Sequence, residues 1–379
     1  VFPGEPLLRF HGTTTEAMLL ETGLSMIMNH ESLIATKARR VRTVAPKDAL
    51  MEFGLRRAQG HSAGLWGARA AMIGGFNGTS NVEAGKRFGI PVLGTMAHSW
   101  VMSFDEEIDA FREYVRQYHD NLILLADTYN VLEMGVPHAI QVFKELKEEG
   151  RLPGKYGIRI DSGDIAYLSQ EATRMFTEAG FPDAIISGSN DLDEYTIQSL
   201  KAQGCTVTSW GVGTKIITAD GTSALGGVFK MAVKETDGKE VPVMKFSNDV
   251  EKMTNPGIKT VYRFYKKDTG KMITDLVCLH DEKAADGGDF TLVTESAKWR
   301  RKELKAGTYT VEELLKPVVE NGRNLPLPAL SEIIRYADKQ IDTLWPEYTR
   351  LLNPDLMEIN LSDKLQTLKS ELIRRELGE

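Results

Sequence analysis

The sequence has few cysteines, no long apolar run and no excess of positive charge. Its only cysteines are Cys205 and Cys278, too few for a disulfide framework or a cysteine-based zinc site. No apolar run reaches the roughly 18 residues that a membrane span requires. Lys and Arg total 46 against 53 Asp and Glu, a net charge of −7, whereas a dedicated nucleic-acid binder is normally basic. We therefore expect no membrane span and no nucleic-acid partner.

Several motifs are also missing. The sequence contains neither a G-x-S-x-G nucleophile elbow nor a phosphate-loop lysine pattern, so hydrolase and ordinary kinase chemistry have no motif support. The histidines do not show metal-binding spacing. Residues 1–5 have no signal-peptide character and include no initiator Met, so we expect an upstream segment to be missing. The composition, 42% apolar and 26% charged over 379 residues, predicts a globular cytoplasmic protein of about two or three domains.

Three regions differ in their sequence pattern. Residues 1–30 predict an extended strand at 6–10 and then a helix capped by Thr13, Thr14 or Thr15. Residues 31–235 alternate short apolar runs with amphipathic helices. Residues 236–379 change to antiparallel strands followed by helices. In this last region we predict strands at 241–246 and 259–265, a turn at 268–270, and helices at 311–320, 328–350 and 362–376.

The middle region predicts a parallel sheet. Its apolar runs at 122–127, 156–161, 184–188 and 206–213 alternate with helices around 139–146, 165–179 and 191–203. Gly150, Gly180 and Gly204 end these helices. Strands separated by helices form parallel βαβ units, and strands too apolar to alternate are buried on both faces. Because polar residues follow every strand, an α/β barrel is favoured over a doubly wound sheet.

The end of the second run carries two carboxylates and a guanidinium. Arg159 and Asp161 are two residues apart on a predicted strand, so they point to the same side. Asp164 begins the following helix. Two carboxylates here suit a ribose diol, a Mg²⁺ ion or both, since Mg²⁺ takes one or two carboxylates together with substrate phosphates. The alternative interpretation is a helix cap with a local ion pair.

Glycines follow the later strands. Gly211, Gly213 and Thr214 come at the end of the last run, and Gly188 and Ser189 at the end of the preceding one. Exposed backbone N–H groups after a late barrel strand are typical of a phosphate site. Glycine in an ordinary loop is the alternative, because such glycines are common.

Positive charge and a single histidine supply two further candidates. Between residues 37 and 69 there are eight Lys or Arg residues and two acidic ones, an excess that suggests a small polyanion. A solvated helix face explains part of this excess, but Arg56 lies beside Phe53 and Gly54. His98 follows the apolar run 90–93 among small residues. A structural histidine is the alternative to a functional one.

Together these motifs resemble the nicotinate phosphoribosyltransferase family of type II phosphoribosyltransferases. They are FGLRR at 53–57, GFNGTSN at 75–81, GTMAHSW at 94–100, RIDSGD at 159–164 and GVGT at 211–214. The resemblance extends over essentially the whole chain. It implies an irregular, incomplete TIM-like α/β barrel, an α+β sandwich domain built from N- and C-terminal parts, and a helical C-terminal region.

The resemblance also implies a reaction. Nicotinate and phosphoribosyl pyrophosphate give nicotinate mononucleotide and pyrophosphate, with hydrolysis of ATP as co-substrate and Mg²⁺ as cofactor, in NAD salvage. His98 matches the histidine that ATP phosphorylates, and Arg159 and Asp161 match catalytic residues. Ser80 stands where the amide-using relatives carry Asp, which suits an anionic nicotinate carboxylate. The matched substrate-binding residues are Phe53, Arg56, Ser80, Asn81, Thr95, Asp127, Asp164, Gly188, Ser189, Gly211, Gly213, Thr214 and Lys230.

Family members form homodimers with shared active sites and begin with a segment of about a hundred residues that we expect this chain to lack. That segment supplies a tyrosine to the partner's site, so we expect the pyridine stack to be incomplete without it. Two other functions stay open from the residues alone. One is a non-catalytic nucleotide-binding protein or dimer partner, and the other is the quinolinate-using relative, which needs no ATP.

Overall fold

The computed structural model describes residues 1–118, 120, 122–247, 253–284, 288–293 and 301–378. The chain divides into two compact units. The barrel unit is Ile27–Leu225, and the sandwich unit is Val1–Met26 with Gly226–Glu379. The domain limits at residues 30 and 235 stay predictions. No helix in the described part of the chain is long and apolar enough to cross a membrane.

The barrel unit is built on a parallel sheet. Its strands are β1 (Ala49–Glu52), β2 (Gly78–Thr79), β3 (Leu122–Leu125), β4 (Tyr156–Ile160), β5 (Ile185–Asn190) and β6 (Ser209–Val212). Their order is β2-β1-β6-β5-β4-β3, and every pairing is parallel. Val92 adds a bridge to Thr79. Among the described residues, nothing pairs this edge with β3, so the barrel is incomplete, as the family resemblance implied.

Helices cover the strands because each has an apolar face. They are α1 (Thr14–Val44), α2 (His61–Ile73), α3 (Val82–Phe88), α4 (His98–Val101), α5 (Glu107–Gln117), α6 (Val136–Glu148), α7 (Ile165–Glu178), α8 (Glu194–Ala202) and α9 (Thr214–Ile217). Every residue of β3 is buried, as its unbroken apolar run predicts. Phe143 of α6, Phe176 of α7, Tyr156 of β4 and Phe181 form one aromatic core. The predicted βαβ units are therefore confirmed.

The sandwich unit has a separate sheet. Its strands are β7 (Val233–Thr236), β8 (Lys239–Pro242), β9 (Lys259–Lys266), β10 (Met272–Leu279), β11 (Phe290–Val293), β12 (Arg301–Leu304), β13 (Tyr309–Glu313), β14 (Val319–Glu320), β15 (Arg323–Asn324) and β16 (Ile359–Leu361). The main sheet has the order β13-β9-β10-β16. The helices are α10 (Leu330–Thr343) and α11 (Asp363–Leu377). Antiparallel β9 and β10 surround the predicted turn at 268–270, which confirms that hairpin.

Several predicted elements of the sandwich unit are wrong. The segment 311–320 is not a helix, because β13 pairs with β9 and buries Tyr309 against Phe264. The helix predicted over 328–350 ends at Thr343, and Pro346 begins a short 3₁₀ turn. Residues 6–10 form no strand, and the strand predicted at 241–246 is only the end of β8. At 311–320 pairing with the distant strand β9 overrides the local pattern.

Candidate active site

Arg159 is the centre of a polar cluster at the carboxyl ends of the parallel strands. Its Nε donates to Ser189 Oγ at 2.7 Å, and its Nη1 donates to Thr95 Oγ1 at 2.8 Å. Its Nη2 lies 2.8 Å from Asp161 Oδ1, and the guanidinium carbon lies 5.7 Å from the centre of the Phe53 ring. The fold thus brings together five predicted residues from distant parts of the sequence. Barrel chemistry takes place at this end of the strands.

Asp127 joins this cluster to His98. The Asp127 side chain, which follows β3, is 1% exposed. Its Oδ2 accepts from Ser162 Oγ at 2.6 Å and from the Asp161 backbone N–H at 3.1 Å. Its Oδ1 lies 3.2 Å from His98 Nε2. His98 is the first residue of α4, and its side chain is 40% exposed. A buried carboxylate therefore orients an imidazole that solvent can reach.

Phe53 lies against the glycine backbone of β6. A Cβ atom added at Gly211 would be 2.6 Å from Phe53 Cδ2, so the ring occupies space that only glycine leaves open. The Phe53 backbone N–H donates to the Val212 carbonyl at 2.9 Å. These contacts place a half-buried aromatic ring beside Arg159. Such a ring offers a stacking surface for a flat aromatic ligand.

The other predicted glycines have different surroundings. Gly188 is buried, and a Cβ there would be 3.2 Å from Val207 Cγ1, so this residue serves packing within the sheet. Gly213 is the residue before α9, and Thr214 is the first residue of that helix. The predicted phosphate site at 211–214 stays a prediction, because a short helix alone does not make a phosphate site.

Five predicted residues lie outside the hydrogen-bonded cluster. Arg56 and Ser80 are exposed. Asn81 is buried, and its Oδ1 caps α3 by accepting from the Ala84 N–H at 3.1 Å. Asp164 caps α7 in the same way, which is the helix-cap interpretation considered for it above. Lys230 belongs to the sandwich unit, where its Nζ donates to the Phe229 carbonyl.

Comparison with known proteins identifies the family. Residues 49–283 match the model of the nicotinate phosphoribosyltransferase (NAPRTase) family, and residues 258–369 match the model of the nicotinate phosphoribosyltransferase C-terminal domain. The chain belongs to the nicotinate phosphoribosyltransferase family. The nicotinate phosphoribosyltransferase of Bacillus subtilis (strain 168) is 42% identical, and the match covers 98% of this chain and 75% of that protein.

Solved structures support the same fold. Human nicotinic acid phosphoribosyltransferase superposes with a TM-score of 0.84 at 30% identity, over 98% of this chain and 80% of that one. The nicotinate-nucleotide pyrophosphorylase of Pyrococcus furiosus gives a TM-score of 0.64 at 23% identity, over 85% of this chain and 73% of that one. This second likeness concerns the fold alone. The type II phosphoribosyltransferase fold implied by the motifs is therefore confirmed.

The sequence analysis missed Glu52, which supports the loop that carries Phe53. Glu52 is fully buried at the end of β1. One carboxylate oxygen accepts from the Gly54 backbone N–H, and the other accepts from Thr79 Oγ1 at 2.6 Å. Burial raises the pKa of Glu52, while these hydrogen bonds oppose the shift. A lone acidic residue at the end of a short apolar strand gives no signal for such a role.

Glu52→Gln is expected to change how stability depends on pH. The pKa of Glu52 is higher in the folded chain than in the unfolded chain. The free energy of unfolding therefore falls as the pH rises from the unfolded-state pKa to the folded-state pKa. Glu52→Gln removes that loss, but its single amide oxygen can accept from only one of the Gly54 N–H and the Thr79 hydroxyl, a cost of about 1–3 kcal/mol. The melting temperature of the variant relative to wild type should therefore rise as the pH is increased from about 5, just above the ordinary carboxyl pKa.

Thermal melts of Glu52→Gln, wild type and Glu148→Gln across this pH range provide the test. Glu148 is an exposed carboxylate on α6 and serves as the control. A melting-temperature difference between Glu52→Gln and wild type that does not change with pH would contradict the expectation.

Four of the basic residues between 37 and 69, whose local excess suggested a small polyanion, have partners within the fold. Lys37 and Arg40 pair with Glu194, at 2.8 Å in each case. Arg42 donates to backbone carbonyls, including that of Gly75 at 2.7 Å. Arg69 lies 3.1 Å from Glu31. These side chains join α1 and α2 to neighbouring elements, so their charge is already used within the fold.

Proposed function

We propose that this chain transfers the phosphoribosyl group of phosphoribosyl pyrophosphate to the ring nitrogen of nicotinate, with coupled ATP hydrolysis, in NAD salvage. The observation that carries the proposal is the Arg159 cluster, which combines a guanidinium, a carboxylate, hydroxyls and an aromatic ring at the active end of the barrel. The family's name supports the choice of nicotinate. From the same family resemblance we also propose that the chain forms a homodimer with shared active sites and is located in the cytoplasm.

The transfer places opposite charges on the two halves of the donor. The bond between ribose C1′ and the pyrophosphate oxygen breaks, and its electron pair leaves with pyrophosphate. The lone pair of the pyridine nitrogen forms the new bond to C1′, and no proton has to move. Positive charge that develops on the ribose is stabilised by the Asp161 carboxylate, which Arg159 and Ser189 hold in place.

The ring substrate needs orientation more than activation. Phe53 provides a face for stacking, and the Arg159 guanidinium beside that face provides positive charge for an anionic substrate. The exposed Ser80 adds no negative charge to the loop after β2. A nicotinate carboxylate would therefore meet the Arg159 guanidinium without an acidic side chain at position 80.

Mg²⁺ fits this donor set as an ion that arrives with substrate phosphates. Among the described residues, no group of three or more acidic, His or Cys side chains is placed to hold a metal. The described side-chain contacts of Asp161 go to Oδ1, which leaves Oδ2 as a ligand for an ion that phosphates and water complete. When bound, the ion supplies charge neutralisation at the leaving pyrophosphate.

His98 is the proposed acceptor of the ATP γ-phosphoryl group. With the Nε2 proton donated to Asp127, Nδ1 is the nitrogen whose lone pair attacks phosphorus. The N–P bond forms as the bond from phosphorus to the bridging oxygen breaks, and ADP leaves with that electron pair. The ring becomes positively charged, and Asp127 stabilises it. Water later cleaves the N–P bond to give inorganic phosphate.

Substrate choice gives the test of the proposed function. Wild-type protein should use nicotinate far better than nicotinamide. Ser80→Asp should lower kcat/KM for nicotinate by about 5- to 150-fold, which corresponds to about 1–3 kcal/mol of like-charge repulsion. Product formation is measured with nicotinate, nicotinamide and quinolinate, each with and without ATP.

Ser199→Asp is the control for Ser80→Asp, because it adds the same charge on the exposed surface of α8. Equal use of nicotinate and nicotinamide by the wild type would reject the proposed specificity. ATP-independent use of quinolinate would favour the other enzyme class, and binding without any product would favour the non-catalytic alternative.

A further inference from the structure

A second carboxylate–histidine pair lies behind the pair formed by His98 and Asp127. Glu107, the first residue of α5, has a fully buried side chain, and its Oε2 lies 2.7 Å from His138 Nδ1 on α6. Among the described residues, nothing donates a hydrogen bond to Glu107 Oε1. Burial raises the pKa of Glu107, the contact with His138 lowers it, and the nearby charge of Asp127 raises it. His138 therefore favours the charged carboxylate at a position where burial alone opposes a charge.

The elements that carry this second pair also hold His98. The Trp100 Nε1–H on α4 donates to the Ala110 carbonyl on α5 at 3.1 Å. The Glu107–His138 contact then joins α5 to α6. These two hydrogen bonds connect α4, which carries His98, to α5 and then to α6. The segment before α6 in turn follows β3 and Asp127 in the chain.

The return from α6 to Asp127 is short and closely packed. Residues Val131–Gly135 form a π-helical turn directly before α6. A Cβ atom added at Gly135 would be only 2.0 Å from the Ala126 carbonyl oxygen, so this turn lies directly on the backbone before Asp127. π-Helical turns are frequent at functional sites. The two carboxylate–histidine pairs thus belong to one closed set of contacts.

We propose that Glu107 and His138 are positioning residues for His98, which hold its ring on Asp127 and add negative charge near it. This inference rests on the proposed phosphorylation of His98. The imidazole ring becomes positive as phosphorus binds, so a second buried carboxylate close to Asp127 favours that step. A neutral hydrogen bond would be enough to link α5 to α6. A carboxylate at this buried position adds a negative charge, which such a link does not require.

The structural alternative has a matched control. Arg112 Nη2 lies 2.7 Å from Glu145 Oε1 and also joins α5 to α6, but these side chains are 42% and 37% exposed, whereas that of Glu107 is fully buried. Glu145→Gln removes one charge between the same two helices without touching the buried pair. Glu107→Gln keeps the shape and a hydrogen bond to His138 while it removes the buried charge. His138→Asn keeps a donor for Glu107, whereas His138→Ala does not.

The test uses the full chain with ATP labelled at the γ-phosphate. Labelling of the protein should be at least about tenfold slower in Glu107→Gln, with the KM for ATP and the ATP-independent transfer within about twofold of wild type. The melting temperature at about pH 8 should stay close to that of wild type, because glutamine keeps the size of the side chain and can still accept a hydrogen bond from His138. His138→Asn should be labelled faster than His138→Ala, and Glu145→Gln should be labelled at the wild-type rate.

Two results would overturn the inference. One is labelling of Glu107→Gln at the wild-type rate, which leaves a purely structural link. The other is an equal loss of labelling and of ATP-independent transfer in that variant, which indicates general damage to the site. Absence of label in the wild type would instead reject the phosphohistidine of the proposed function, and the positioning role with it.

Discussion

Asp161→Asn is expected to lower kcat by about 10²–10³-fold while the chain stays folded. The asparagine side-chain oxygen can still accept from Arg159 and Ser189, which both contact Asp161 Oδ1. What disappears is the negative charge that the proposed mechanism places beside the ribose, where it would matter most as C1′ becomes positive. Loss of charge complementarity to a transition state typically costs about 2.7–4 kcal/mol.

Rates are measured in single turnovers and set beside thermal melts of the same samples. Asp193→Asn is the matched control, because Asp193 caps α8 and asparagine caps a helix equally well. Wild-type turnover is expected from the control. If Asp161→Asn lowers the melting temperature sharply while the rate per folded molecule stays near wild type, Asp161 supports the fold and does not act in the reaction.

The parallel sheet could be predicted because its signal is local. The run at 122–125 is apolar throughout and is buried throughout as β3, and the helices end where their glycines indicate. The pairing of Arg159 with Asp161 also follows from spacing, since residues two apart on a strand share a side. Motifs carried by strand ends therefore give much of the candidate site.

Buried carboxylates could not be predicted in the same way. Glu52 and Glu107 gain their roles from Thr79 and His138, which are distant in sequence. Nothing in an isolated acidic residue distinguishes such a position from a solvated one. The error at 311–320 has the same cause, because Tyr309 forms a strand only once Phe264 and β9 are beside it.

The basic cluster shows the opposite error. A local excess of positive charge suggested an external anion, yet Lys37 and Arg40 both bind Glu194 on α8, more than 150 residues away. The number of charged residues in a segment does not show which charges are already paired within the fold. The partner of Arg159 could be predicted because Asp161 lies only two residues further along the chain.

His98→Asn is expected to abolish both the phosphorylation of the protein and the substrate-linked hydrolysis of ATP. In the proposed mechanism the His98 ring nitrogen that faces Asp127 fixes the ring, and the other nitrogen forms the N–P bond. Asparagine has no comparable nucleophile. Phosphoribosyl transfer without ATP should persist at a reduced rate, because the variant keeps Arg159, Asp161 and Phe53, which we propose bind and orient the substrates.

Coupling requires more than phosphorylation. ATP hydrolysis assists the transfer only if the phosphorylated chain binds phosphoribosyl pyrophosphate more tightly than the unmodified one, since a ligand shifts an equilibrium only by its differential affinity. The affinity for phosphoribosyl pyrophosphate, measured with and without ATP, should therefore rise with ATP in wild type and stay constant in His98→Asn.

The location of the phosphate decides the role of His98. Wild type, His98→Asn and His61→Ala are incubated with labelled ATP and Mg²⁺, digested under alkaline conditions, and the modified peptide is sequenced. His61 is the control because its side chain is 71% exposed and pairs only at the surface with Glu83. Acid-labile phosphate on the peptide that contains His98, absent from His98→Asn and retained in His61→Ala, is the expected pattern. Phosphate on another residue, or full ATP coupling in His98→Asn, would leave His98 as a ring that merely packs against Asp127.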